Sequence, residues 1–84
     1  MEEYRNLKEL YQALVPALNV KLRTLKSSGI EDMTREDIWN YLKITKWQIA
    51  NNLSISEMVN DIINVSNIEL GQYNQNKKEK VYNN

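Results

Sequence analysis

Leu7, Leu10, Leu14, Leu18, Leu22 and Leu25, with Tyr11 among them, follow one another at steps of three and four residues. That spacing lays them along one face of a helix, and the apolar face must be covered by other elements. The stripe runs through Pro16, whose ring removes one backbone hydrogen bond and crowds the carbonyl of Gln12. The segment is therefore either one helix from about Glu3 to Ser27 kinked at Pro16, or two helices with Pro16 in the first turn of the second. The unbroken stripe favours the kinked helix. Ser27-Ser28-Gly29 closes it: Gly29 suits the left-handed position after a helix, and Lys26 stands near the negative end of the dipole.

The cover for this stripe comes from three shorter segments. Thr34 is placed to cap a second helix, with Asp37 where the acid of a capping box stands. Ile38, Trp39 and Leu42 form its buried face, and the β-branched pair Ile44-Thr45 weakens it, so the helix is expected to end there. From Trp47 to Leu53 the periodicity fails, and a structured loop is expected. Ser54-Ile55-Ser56-Glu57 is a full capping box opening a third helix, whose apolar face is Ile55, Met58, Val59, Ile62 and Ile63. A second box, Ser66 to Glu69, starts a short fourth helix ending around Gly71 to Asn74, with Val65 and Leu70 placed as a hydrophobic staple. Residues 75–84 are polar and charged and read as a disordered tail beyond a domain of residues 1–74. The expected fold is all-α: one small bundle of about four helices. Its expected core is Leu14, Leu18, Leu22, Leu25, Ile38, Trp39, Leu42, Met58, Val59 and Ile62.

Eighty-four residues make one domain. Without cysteine or histidine, the chain has no disulfide framework, no thiolate metal site and none of the commonest general base. No cofactor, metal or catalytic set is expected. The chain has only two glycines, too few for a phosphate-cradling loop. Glu31, Asp32, Glu36 and Asp37 lack the oxygen-ligand spacing of a calcium loop, and capping accounts for Asp37. No apolar run reaches membrane-spanning length and the N-terminus has no signal-peptide core, so a cytoplasmic protein is expected.

Eleven Lys and Arg balance eleven Asp and Glu, so no global positive field draws in nucleic acid. The cations are nevertheless grouped. Lys21, Arg23, Lys26, Lys43 and Lys46 would form a patch if the ends of the first two helices packed together, and Tyr41 and Trp47 could then stack on RNA bases. The competing explanation is that they are solvated faces and dipole-complementing residues at helix ends. Trp39 reads as core. Trp47 either folds back as a lid or stands out as a surface anchor. Two features argue against a DNA-binding helix-turn-helix: the connection of about nine residues is too long for its turn, and the third helix carries Glu57 and Asp61 and no cation.

The order of L-V-P-A-L at 14–18, K-S-S-G-I at 26–30, M-T-R-E-D-I-W-N-Y-L at 33–42, K-W at 46–47 and I-S-E-M-V-N-D-I-I-N-V at 55–65 resembles the ComN-type post-transcriptional regulators of low-GC Gram-positive bacteria. The chain departs from that pattern at Ile30, where an aromatic residue is usual, and in a bridge, Gln48 to Asn52, that is less basic. The resemblance implies control of messenger levels after transcription and supplies no set of binding residues. The expectation is a non-enzymatic regulator acting mainly through a protein partner, with no DNA and no membrane insertion. Two alternatives stand beside it: a direct RNA-binding module, and an oligomerisation adaptor with no RNA link. The residues expected to meet a partner or RNA are Lys43, Lys46, Trp47, Tyr41, Lys21 and Lys26.

Overall fold

The structure, a computed structural model, describes residues 7–48 and 53–82. Four α-helices follow in order: α1 (Leu7–Ser27), α2 (Arg35–Leu42), α3 (Ile55–Asn64) and α4 (Asn67–Tyr82), with a π-helical turn (Lys43–Trp47) directly after α2. Among the described residues no helix is long and apolar enough to cross a membrane. The expected start of the first helix at Glu3, residues 49–52 of the expected loop and residues 83–84 of the expected tail lie outside the described residues.

α1 is one continuous helix with Pro16 inside it and exposed. Its end is a Schellman motif: the Ile30 amide donates to the Leu25 carbonyl at 2.9 Å and the Gly29 amide to Lys26 at 3.0 Å. Gly29 carries the required positive φ, +93°. α2 and α3 both open on complete capping boxes. The Thr34 and Ser54 hydroxyls accept from the amides of Asp37 and Glu57, whose carboxylates accept from the amides of Thr34 and Ser54. At α4 only the serine half of the box forms. Ser66 Oγ accepts from the amides of Ile68 and Glu69 at 3.1 and 3.2 Å, while the Glu69 carboxylate accepts from the Tyr41 hydroxyl.

α1 packs most extensively on α3 and also on α2, and α4 lies on α2. The centre of the bundle is Leu14, Leu18, Leu25, Ile38, Ile62 and Leu70, all fully buried, with Ala17, Met33, Trp39, Leu42, Trp47 and Met58 around them. Leu22 and Val59, expected in the core, are half-buried at its edge.

Two elements differ from expectation. α4 runs to Tyr82 rather than ending around Gly71 to Asn74, because long-range pairings described below hold a face that has little apolar character of its own. The second helix neither ends at Ile44-Thr45 nor gives way to a loop at Trp47. It widens into the π turn. Leu42 and Trp47 are five residues apart, a step that an α-helix would give to Lys46 and an i→i+5 turn gives to Trp47. The Thr45 hydroxyl donates to the Tyr41 carbonyl at 2.7 Å within this turn.

Candidate functional site

The π turn places its residues on two sides. Trp47 points inward, 8% exposed, and meets Trp39 edge-on with ring centroids 5.6 Å apart. Its indole N–H donates to Asp61 Oδ2 at 2.9 Å. Lys46 pairs with the other oxygen of the same carboxylate, Nζ to Oδ1 at 2.8 Å. Asp61 thus ties the turn to α3 through two neighbouring side chains. Burial raises its pKa, but the bonds from Lys46 and Trp47 outweigh that and hold it below the usual carboxylate range. On the outer side Lys43, Ile44, Thr45 and the stem of Lys46 face solvent, Ile44 being 55% exposed.

Beside the turn lies an open groove of about 460 Å³ between the end of α2, the last turn of α3 and the first turn of α4. Leu42 and Val65 are its apolar residues, and Lys46, Asn60, Asp61, Asn64, Ser66 and Glu69 supply its polar ones. The Tyr41 hydroxyl donates to Glu69 Oε1 at 3.0 Å; burial first, then this carboxylate, raises the tyrosine's pKa.

Lys21 is the largest departure from expectation. It is not part of a surface patch: it is 5% exposed and donates to the carbonyls of Ile63 and Val65 at 3.2 and 2.6 Å. Those carbonyls close α3, where the helix leaves acceptors unpaired and its dipole is negative, so the ammonium caps the helix from inside the fold. Burial lowers its pKa. Trp47 likewise presents no open ring face for stacking, because the core and Asp61 hold it. Lys26 and Lys43 are exposed at the ends of α1 and α2. The structure therefore puts Lys46 in the lining of the groove and joins Tyr41 and Trp47 to that lining through Glu69 and Asp61. It turns Lys21 into a cap on α3 and leaves Lys26 and Lys43 exposed outside the groove.

Asp61 is the residue that sequence reasoning missed. Its signal was weak: an acid on the α3 face next to the buried position Ile62. Among the described residues no three acidic, cysteine or histidine side chains gather as a metal site would require.

A family model described as post-transcriptional regulator matches residues 7–83. The chain is similar to the post-transcriptional regulator ComN of Bacillus subtilis (strain 168), with 38% identity over 66 residues, covering 77% of this chain and 67% of that protein. No solved structure matches it.

Proposed function

The chain belongs to the post-transcriptional regulator family, and from that premise we propose that it acts in the cytoplasm without catalysis of its own, by engaging a protein partner through the outer face of the π turn. The observation that carries this reading is the two-sidedness of Lys43–Trp47. Trp47 and Asp61 fix the turn from beneath, and above it Ile44 stands exposed between Lys43 and Lys46. An exposed apolar side chain on a turn held from beneath is presented by an already ordered backbone, so little backbone ordering cost is added on binding. π turns recur at functional positions for the same reason: they re-aim side chains without ending the helix.

Direct RNA binding is less well supported by the same geometry. Phosphate contact needs free cations, and base stacking needs open aromatic faces. Here Lys21 and Trp47 are inside, Lys46 is paired, and the groove beside them carries Asp61 and Glu69.

A photo-crosslinking residue placed at Ile44, with the exposed Gln12 as control, tests the reading in cells. Protein adducts specific to position 44 and lost in Lys43→Glu are expected. RNA adducts at position 44, with affinity falling steeply as salt rises, would replace it with the RNA-binding reading.

A further inference from the structure

Beyond its first turn, where Asn67 donates to Ser28 Oγ and Glu69 accepts from Tyr41, α4 meets the rest of the fold through one narrow stripe. Leu70, Tyr73, Asn74 and Lys77 follow the i, i+3, i+4, i+7 spacing of a single helix face. Leu70 is fully buried, and Tyr73 sits edge-on to Tyr41 with centroids 5.3 Å apart. The Asn74 amide donates to Asp32 Oδ1 at 2.8 Å, and Lys77 pairs with Asp37. Gly71 lets the helix come down on Ile30, whose Cδ1 would lie 3.2 Å from a Cβ at that position. This is the way an amphipathic peptide helix sits in a groove, with four anchors on one face.

The groove belongs to α2 and the segment before it: Ile30 at one end, Tyr41 beside it, and Asp32 and Asp37 at the other. Asp37 is only 7% exposed and also completes the capping box of α2. A carboxylate this buried is costly without a cation, so the groove calls for one at the Lys77 position. The hold on α4 is weak by comparison with the other helices. Leu70 is its one buried apolar side chain among the described residues, where α3 buries Met58 and Ile62 and α2 buries Ile38, Trp39 and Leu42. The outer anchors are an amide and a lysine that is itself half open to water. A two-residue connection, Val65-Ser66, separates α4 from α3.

We propose that this groove is a docking site for a basic amphipathic helix of a partner protein, and that α4 occupies it in cis as a displaceable ligand. The resident helix specifies the partner's chemistry: an aliphatic residue, an aromatic at i+3, an amide at i+4 and a lysine or arginine at i+7. The acids at one end of the groove set the direction in which that helix lies. A partner competes with a tethered ligand whose effective concentration is in roughly the millimolar range. The test does not depend on what binds the π turn.

The probe is a fluorescent peptide of residues 67–82, titrated by anisotropy against the full chain and against the full chain carrying Asn74→Ala and Lys77→Gln. The variant, with its own α4 unlatched, is expected to bind the peptide at least about tenfold more tightly than the unmodified chain, whose groove is filled. The same peptide carrying Lys77→Glu is expected to lose binding. Equal binding by both chains, or binding by neither, overturns the proposal. Hydrogen exchange on the unmodified chain supplies the second arm, independent of how the variant folds. Amides of 72–82 are expected to exchange faster at about 1 M than at about 0.05 M salt while those of α1 to α3 do not change. An α4 that opens only together with the other three helices would sink the idea.

Discussion

α3 and α4 follow one another across two residues, and each begins on a serine whose hydroxyl takes helix amides, yet they are held by opposite means. α3 buries Met58 and Ile62 against the bundle, with Ile55 and Val59 alongside. Lys21 closes its last carbonyls, and Asp61 fastens it to the π turn. α4 buries Leu70 and then relies on Tyr73, Asn74 and Lys77. A cap decides where a helix starts. The face behind it decides how firmly the helix is held.

The strongest way to break this contrast is Ile62→Ala. Removing a fully buried side chain from the α3 face should cost about 2–5 kcal/mol, a large part of the roughly 5–10 kcal/mol a domain of this size has. Urea unfolding followed by tryptophan emission measures it, and a loss below about 1 kcal/mol would show that α3 is no more deeply held than α4. Lys21→Ala comes next, at about 2 kcal/mol, because two carbonyls at the end of α3 lose their donor. Burial lowers the Lys21 pKa below its ordinary 10.5. Between the lowered value and 10.5 the unfolded chain therefore holds more protons, and this group's contribution to stability rises with pH across that window. The difference between the two chains isolates it from Tyr11 and Tyr41, whose pKa values burial raises.

Asp61→Asn should cost about 1 kcal/mol at neutral pH, since the amide can still accept from Trp47 but no longer pairs with Lys46. The Asp61 pKa is lowered from 3.8, so its contribution is complete above 3.8 and disappears as pH falls through the still lower folded value. Thermal unfolding of both chains at neutral and strongly acid pH should show the gap closing in acid; a gap that persists there would mean that ionisation is not what Asp61 contributes. The smallest effect is expected from Gly71→Ala in α4. A gain in helix propensity of about 0.5–1 kcal/mol opposes a 3.2 Å contact with the movable end of Ile30, leaving a net change within about 0.5 kcal/mol. A loss above about 1.5 kcal/mol in the melting curve would show α4 to be seated as tightly as α3.

What was legible in the sequence was whatever repeats at short range. The capping boxes at Thr34 and Ser54, the leucine stripe and Gly29 all act within a few residues, and each sits where its spacing implies. Lys21 was readable in principle, since it occupies the step between Leu18 and Leu25 on the stripe, but charge argued for the surface and the α3 carbonyls that admit it lie far along the chain. α4 past Asn74 was hidden for the same reason: the partners that seat the helix, Asp32 and Asp37, are remote, and the composition there resembles an unstructured tail. In the candidate site, Lys46 and Trp47 stood out as a pair. Their common partner Asp61 did not, because a reading at α-helical period cannot foresee a turn that advances five residues.

That wide turn also changes how the chain should be lined up against its relatives. It holds one residue more than an α turn in the same place, so it is the three-dimensional form of a single-residue insertion. Upstream of it, Trp39 and Leu42 keep one phase; downstream, Trp47 resumes that phase one position late. A relative one residue shorter between these landmarks can keep its tryptophan in the core with an uninterrupted α-helix, and a gap there marks a change of helix type rather than a lost contact.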